Sequence, residues 1–201
     1  MINDSFTFEQ TPTTRNQSYR SKIAMQDFIS YAEKHGIELS KEGPCQFCGA
    51  DVKGGVFECH ENAHHLSQAL DFNNPQHYQT RFLSVDALAL QHCELHGPWN
   101  NHIHLTRLFL IFENGVAWDY SKTPQLSNVI NNYKRNRSES LAPPPPGHRG
   151  KITTSDLLTT VSADEAIAKV REWAADVFDA FKEHHALISS IARMYMDKYR
   201  V

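Results

Sequence analysis

The chain has 201 residues, of which 40% are hydrophobic and 21% are charged, and its formal net charge at pH 7 is −3. This composition indicates a single globular domain with enough apolar mass for a real core. The mild negative charge argues against nucleic-acid binding, which favours a basic surface. The one short basic run, YKRNR at 133–137, is typical of a solvated loop.

No segment of the sequence predicts insertion into a membrane. The first twenty residues are polar and lack the apolar stretch of a secretion signal. The longest strongly apolar run, Leu108–Phe112, is far too short to span a bilayer. We therefore expect a cytoplasmic protein. In that reducing compartment the four cysteines favour metal binding or thiol chemistry over disulfides.

The first third of the chain is predicted to contain an arm, two helices and a tight turn. Residues 1–20 are expected to form a flexible arm before one helical domain over residues 21–201. Lys22–Lys34 carries an apolar stripe at helical spacing. Residues 43–65, called the knuckle below, begin with a turn rich in Gly, Pro and Cys. A second helix is predicted over Phe57–Phe72.

Three further helices are predicted in the middle of the chain. Leu83–His92 has helical spacing, with Val85 and His92 on its apolar face. Gly97-Pro98 interrupts the pattern, and a helix follows over His102–Glu113. A short helix is expected after Pro124.

The last third combines a proline-rich loop with helices. Residues 135–150 contain four consecutive prolines, which favour an extended polyproline II segment. TTSDLL at 153–158 predicts a short helix. Ser162 and Glu165 form a capping box that opens one long helix over Ala163–Tyr199. The predicted fold is therefore mostly α, a helical bundle with a small zinc-knuckle-like segment near its N-terminus.

The strongest local signal is Cys45-x-x-Cys48 followed by a glycine. Two thiolates at this spacing can hold one ion, and the glycine allows a tight turn beneath them. Two ligand sets are open: these cysteines with His60 and His64, or these cysteines with Cys59 and a histidine from elsewhere. We favour the second set because thiolate is the softer ligand. The predicted ion is zinc, and the alternatives are a redox pair or inert thiols.

The knuckle also contains His60-Glu61-x-x-His64, the spacing of a zincin motif. On a helix the two imidazoles face one ion, and Glu61 can deprotonate the bound water. His65 points away from that face, so a third ligand has to come from further along the chain. The candidates are His92, His96, His104 and the pair His184 and His185. The alternative is an exposed polar face beside a helix core.

Histidines on three predicted helices suggest a separate site inside the bundle. His92 lies on the apolar face of its helix, His104 borders its stripe, and His184 falls within the stripe of the last helix. If they converge, they could bind one ion in the core. Asp86 could orient such a histidine or ligate the ion. The alternative is that each is a hydrogen-bonded core residue.

Five blocks follow one another in the chain: CQFCGA (45–50), CHENAHHL (59–66), LSVDALALQH (83–92), HIHLTRL (102–108) and VREWAADVFDAFKEHH (170–185). Together, over roughly residues 43–190, they resemble a bacterial family of uncharacterised proteins known only as a numbered domain of unknown function. The resemblance implies metal binding and no established activity. The family pattern lacks His-Glu-x-x-His. The positions to which it points are Cys45, Cys48, Cys59, Asp86, Gln91, His92, His104, His184 and His185.

Three functions are open at this point. In the first, a zinc protein without catalysis uses its knuckle to hold the early helices together and binds a protein partner through Pro143–Pro146 and the arm. In the second, a histidine-held zinc activates water for hydrolysis, with Glu61 or Asp86 as general base. Nucleic-acid binding through the knuckle and YKRNR ranks last because of the charge. The sequence does not indicate the oligomeric state.

Overall fold

The computed structural model describes residues 26–201, except residues 69, 72, 73, 136, 138–140 and 159–161. The arm predicted at residues 1–20 lies outside the described residues. Three short 3-10 turns lie at Cys93–Leu95, Thr154–Leu157 and Lys182–His184. Within the described part the chain forms seven α-helices: α1 (26–35), α2 (Gly55–Gln68), α3 (Pro75–Gln91), α4 (Pro98–Phe112), α5 (Lys122–Lys134), α6 (Ala163–Ala180) and α7 (His185–Tyr199).

The mostly α prediction is confirmed. The described residues contain no β-strand and only one isolated backbone bridge, between Gly43 and Gly54. Helix α3 packs against α4 and α6, α4 also packs against α7, and α5 packs against both α4 and α7. Their apolar faces form the larger core, which is driven together by removal of apolar surface from water. Its fully buried members include Leu90, Leu108, Trp173, Ile188 and Tyr195.

A second, smaller core lies where the turn at the start of the knuckle packs against α1 and α2. Its buried members are Phe28, Ala32, Cys45, Phe47, Cys48, Ala50, Val52, Val56, Cys59 and Leu95. Three of these ten residues are cysteines, so the apolar surface available to hold this part together is limited. Structures with such small cores usually need a metal or another cross-link.

The single long helix predicted over Ala163–Tyr199 is wrong, because the chain forms two helices. α6 ends at Ala180, and a 3-10 turn separates it from α7. Two histidines account for the break: the His185 imidazole stacks on Phe178 and donates to the Phe178 carbonyl at 3.1 Å, and His184 donates to the Ala142 carbonyl at 2.8 Å. The His185 bond adds a second donor to the Phe178 carbonyl, which also accepts from the Phe181 amide at 3.1 Å. The His184 bond anchors the turn to a distant segment.

Two other predicted helices begin earlier than expected, and both begin with a proline. α3 starts at Pro75 rather than Leu83, and α4 starts at Pro98 rather than His102. Proline suits the first helical position because the amide it lacks has no partner there. The predicted apolar face of α3 is also wrong at one position, since Val85 is 44% exposed. The short helix predicted at TTSDLL is confirmed as a 3-10 turn.

The proline-rich loop is fastened to the bundle by one buried arginine. The Arg149 guanidinium donates to both carboxylate oxygens of Glu94 at 2.6 Å each, and to the Pro144 carbonyl at 2.7 Å. The backbone amide of Gly147 donates to the Phe47 carbonyl at 3.0 Å, which connects the loop to the knuckle. The loop is therefore held against both cores.

A buried ion pair connects α3 and α4. Asp86 is fully buried, and both of its oxygens accept from the Arg107 guanidinium, with Nε to Oδ2 at 2.7 Å. His104 donates from Nδ1 to the same carboxylate at 2.8 Å. The guanidinium also lies over the ring of Phe82, 4.7 Å from its centre.

No described helix is long and apolar enough to cross a membrane.

Replacing Asp86 with alanine is expected to lower the free energy of unfolding by about 3–5 kcal/mol, because it leaves a buried guanidinium unpaired. Chemical denaturation followed by circular dichroism measures the change. The double variant Asp86→Leu/Arg107→Met should recover much of the loss, since it removes both buried charges. Asp197→Ala, at an exposed carboxylate, is the control and should change stability by less than about 0.5 kcal/mol. A similar effect of Asp86→Ala and Asp197→Ala would contradict the assigned ion pair.

Candidate metal centre

The knuckle turn places two thiols on the same side of the backbone. The amide of Cys45 donates to the Ala50 carbonyl at 3.0 Å, and the amide of Gly49 donates to the Cys45 carbonyl at 2.9 Å. Gly49 has φ +78°, a left-handed conformation that glycine adopts at little cost. The backbone therefore folds back tightly around Cys48, and both sulfurs are buried.

The third thiol comes from the first part of α2. Gly55 opens this helix with φ +60°, and its amide donates to the Gly43 carbonyl at 3.0 Å. A Cβ atom at this position would lie 2.2 Å from the Ser40 carbonyl oxygen, so only glycine fits. The Glu58 carboxylate accepts from the amides of Lys53 and Gly54 at 2.9 and 2.6 Å. This approach directs Cys59 towards the knuckle turn.

The fourth donor is an imidazole at the end of α3. His92 Nδ1 lies 2.7 Å from the Leu88 carbonyl oxygen, which can only accept, so Nδ1 carries the proton. Its Nε2 then faces the sulfurs, at 3.3 Å from Cys45 Sγ and 3.5 Å from Cys59 Sγ. Such a backbone bond to the far ring nitrogen is the usual way in which a metal-binding histidine is oriented.

The four donor atoms have the dimensions of a tetrahedral zinc site. The three sulfurs and His92 Nε2 all lie within 4.8 Å of one another, and Cys48 Sγ is 3.6 Å from Cys59 Sγ. A zinc–sulfur distance of about 2.3 Å gives sulfur–sulfur edges of about 3.8 Å. No other group of three or more His, Cys, Asp or Glu donors in the described residues comes this close. These residues could therefore hold a metal ion.

The comparison with known proteins identifies the family. The model of DUF5946, a family of unknown function, matches residues 43–182. The chain belongs to the DUF5946 family. The resemblance noted from the sequence is thereby confirmed. No curated protein and no solved structure matches the chain. All four donor residues of this DUF5946 protein fall inside the matched range.

The four donor side chains are buried close together, and the pKa values of three of them shift in different directions. Hydrogen bonds from Cys48 and Cys59 hold the pKa of the Cys45 thiol well below its ordinary value, and hydrogen bonds to Cys45 and Cys48 raise the pKa of Cys59. Burial lowers the pKa of His92, but its contacts with Cys45 and Cys48 outweigh burial and raise it to about 10. A divalent cation would stabilise the thiolate forms of the three cysteines and would replace the proton on His92 Nε2. The donor set therefore fits Zn²⁺.

A hydroxyl from the other half of the chain supports the cluster. Thr154 Oγ1 lies 3.2 Å from Cys59 Sγ and is fully buried. Gln91, next to His92, accepts from Trp173 Nε1 at 3.1 Å and donates to the Ile152 carbonyl at 2.8 Å. These bonds fix the end of α3. Sequence reasoning did not single out Thr154, because 95 positions separate it from Cys59 and a lone threonine carries no metal signal.

The zincin motif of this DUF5946 chain is not brought together with the cysteines. His60 stacks on Phe28 at 4.3 Å between ring centres, and its ring centre lies 5.0 Å from that of His92. His64 is half-buried, and neither histidine belongs to the donor group. Glu61 is exposed, with a carboxylate oxygen 3.8 Å from His65 Nε2. Of the two ligand sets suggested by the sequence, the structure assembles the one with Cys59.

The three inward histidines also make separate contacts. His92 joins the cysteines, His104 binds Asp86, and His184 binds the Ala142 carbonyl. His185 binds the Phe178 carbonyl at the break between α6 and α7. Within the described residues, therefore, these histidines do not form one common donor group.

Gly55→Ala tests how far the knuckle depends on the close approach of α2. The variant should lose about 2 kcal/mol or more of unfolding free energy, from left-handed strain and the contact with the Ser40 carbonyl. Gly36→Ala is the matched control, since Gly36 is also left-handed at φ +67° but has no atom within 4 Å of an added Cβ. It should lose only about 1–2 kcal/mol. Thermal denaturation of both measures the difference, and equal losses would argue against the steric constraint.

Proposed function

We propose that Cys45, Cys48, Cys59 and His92 bind one Zn²⁺ and that this ion is structural. The observation that carries the proposal is the burial of all four donors, none of which is more than 5% exposed. Four protein ligands complete a tetrahedral shell, whereas a catalytic zinc keeps one position for water or substrate. The ion would therefore stabilise the protein without reacting.

The placement of the donors supports a role in joining two parts of the molecule. Two thiols belong to the knuckle turn and one to α2, all within the smaller core. His92 belongs to α3, which packs in the larger core. An ion at this position would connect the smaller core to the bundle through four metal–ligand bonds. These bonds would add to the limited stabilisation that the knuckle gains from burying apolar surface.

With a closed ion, the protein would act as a binding module for a protein partner. The proline-rich loop is the best supported contact element, because Pro145 and Pro146 are exposed while Arg149 fixes the loop from beneath. Proline segments of this kind dock into aromatic grooves at little entropic cost. A reducing compartment such as the cytoplasm would keep the four free cysteines available as ligands.

A metal-dependent hydrolase with Glu61 or Asp86 as general base has less support. The Glu61 side chain is 64% exposed and lies outside the donor group. Both oxygens of Asp86 accept from Arg107, and one also accepts from His104. A general base needs a free oxygen within reach of the water it activates.

Replacing one cysteine ligand should remove the ion, while replacing the fourth cysteine should not. Elemental analysis of purified protein is expected to give one zinc per chain for the wild type and for Cys93→Ser, and almost none for Cys48→Ser. Cys93 is a matched control because it is also buried but donates to the Leu90 carbonyl outside the donor group. In Co²⁺-loaded protein, an intense thiolate-to-metal absorption band reports sulfur ligation directly.

Removal of the ion by a chelator should loosen the knuckle and α2 before the bundle. Hydrogen exchange is expected to accelerate over residues 43–68 while α6 and α7 keep their protection, because only the smaller core contains the three thiol ligands. Stoichiometric zinc in Cys48→Ser, or a melting curve indifferent to the chelator, would contradict a structural centre.

The proposed contact element can be tested separately with Pro145→Ala/Pro146→Ala. Titration of the zinc-loaded protein against purified SH3 and WW domains, followed by fluorescence anisotropy, is expected to show binding that this variant weakens at least tenfold. Binding that is the same in both proteins would remove the proline segment from the interface. Absence of binding across the panel would do the same.

A further inference from the structure

A groove lies between α1, residues 37–42 and the start of α2. Its volume is about 780 Å³. Its apolar lining is contributed by Ile29, Ala32, Ile37, Leu39 and Phe57. All of these except Ala32 are only partly buried where they pack on the smaller core. An apolar side chain that entered the groove would therefore remove their remaining surface from water, which favours binding.

Residues 37–42 belong to no helix or strand, and one side of their backbone is bonded to the knuckle. The Glu38 carbonyl accepts from Gln46 Nε2 at 2.8 Å, and the Ser40 amide donates to Oε1 of the same side chain. The Ser40 carbonyl accepts from the Val56 amide at 3.2 Å. These backbone groups, which belong to residues two positions apart, therefore face the knuckle.

The other side of this segment is an unpaired backbone edge. In an extended chain the amides and carbonyls of neighbouring residues point to opposite sides. Leu39 and Lys41 lie on either side of Ser40, and neither has a hydrogen bond at its backbone amide or carbonyl among the described residues. Both residues line the groove. An extended peptide can pair with such an edge as an added strand, through main-chain hydrogen bonds.

The rim of the groove is negatively charged. Glu33, Glu38 and Glu42 line it, all three are exposed, and none forms an ion pair within the described part of the chain. The same lining contains one lysine, Lys41. Unpaired carboxylates beside apolar surface favour an occupant that carries positive charge next to an apolar side chain, and they disfavour an acidic one.

We propose that this groove binds an extended segment of a partner protein, which adds as a strand along residues 37–42 and carries lysine or arginine on either side of a large apolar residue. Its backbone would bond Leu39 and Lys41, and its apolar side chain would lie against Phe57. Its cationic side chains would approach the three carboxylates. This interface is additional to the proline-rich loop and selects a different chemistry, since a run of prolines lacks the amides that strand addition needs.

Fluorescence anisotropy with labelled peptides tests the interface on the full-length protein. The probe is KVKFKVK, and EVEFEVE is its charge-reversed control, which should bind at least about tenfold more weakly. Two further peptides carry N-methyl groups on the odd or on the even amides of KVKFKVK. Strand addition uses one alternate set of amides, so one of these two peptides should bind at least about tenfold more weakly than the other.

Variants of the protein separate the charge from the apolar contact. Glu38→Gln/Glu42→Gln should weaken KVKFKVK at least about threefold, and Phe57→Ala should weaken it at least about tenfold. The control Glu113→Gln/Glu172→Gln removes two exposed carboxylates outside the groove and should bind as the wild type does.

Hydrogen exchange on the wild type keeps the test decisive if a variant fails to fold. The amides of Leu39 and Lys41 should exchange more slowly when KVKFKVK is bound, because they become hydrogen-bonded. Unchanged exchange at these two amides in the complex would overturn the proposal. Failure of the wild type to bind KVKFKVK, equal affinity for the two N-methylated peptides, or unchanged affinity in Glu38→Gln/Glu42→Gln would also overturn it.

Two results would assign the groove to another occupant and would equally overturn a partner protein. A wild-type dimer in light scattering that Phe57→Ala dissociates would assign the groove to a second copy of the chain. Binding of KVKFKVK that begins only after removal of residues 1–20 would assign it to that segment.

Discussion

The contact on which this architecture depends is the approach of one imidazole to three thiols. His92 is the only donor of the four that belongs to the bundle, and its bond to the Leu88 carbonyl turns Nε2 towards the sulfurs. The knuckle also meets the bundle through the packing of α2 on α3 and on the 3-10 turn at Thr154–Leu157, and through the proline-rich loop. His92 thus adds a direct link between the two cores at the donor cluster itself.

Buried polar groups on α3 have specific hydrogen-bond partners on the neighbouring elements, and these bonds determine how the helix packs. Asp86 faces Arg107 and His104 on one side of the helix, and Gln91 bonds Trp173 and the Ile152 carbonyl near its end. Each of these groups is costly to bury unless its partners are present, so the helix can pack in one register only. α3 therefore positions the donor imidazole with little freedom.

Patterns in the sequence predicted most of the helices and the thiol ligands. The fourth ligand and the break in the last helix depend on contacts between residues that are far apart in the chain. Cys45, Cys48 and the glycine after them are recognisable because two thiols and a tight turn are contiguous in sequence. The fourth ligand could not be chosen among twelve histidines, since the choice depends on how α3 packs. The break after Ala180 was equally hidden, because His184 and His185 end the helix through contacts with Ala142 and Phe178 rather than through glycine or proline.

The long sequence separation within the cluster has a consequence for biosynthesis. Cys45 and His92 are 47 positions apart, and Cys59 meets Thr154 across 95. On the ribosome the three sulfurs emerge well before α3 can supply nitrogen, and the supporting hydroxyl follows last. Because closing such loops costs chain entropy, the complete coordination sphere belongs to the late stages of folding. Until then the nascent thiols depend on the reducing power of their surroundings.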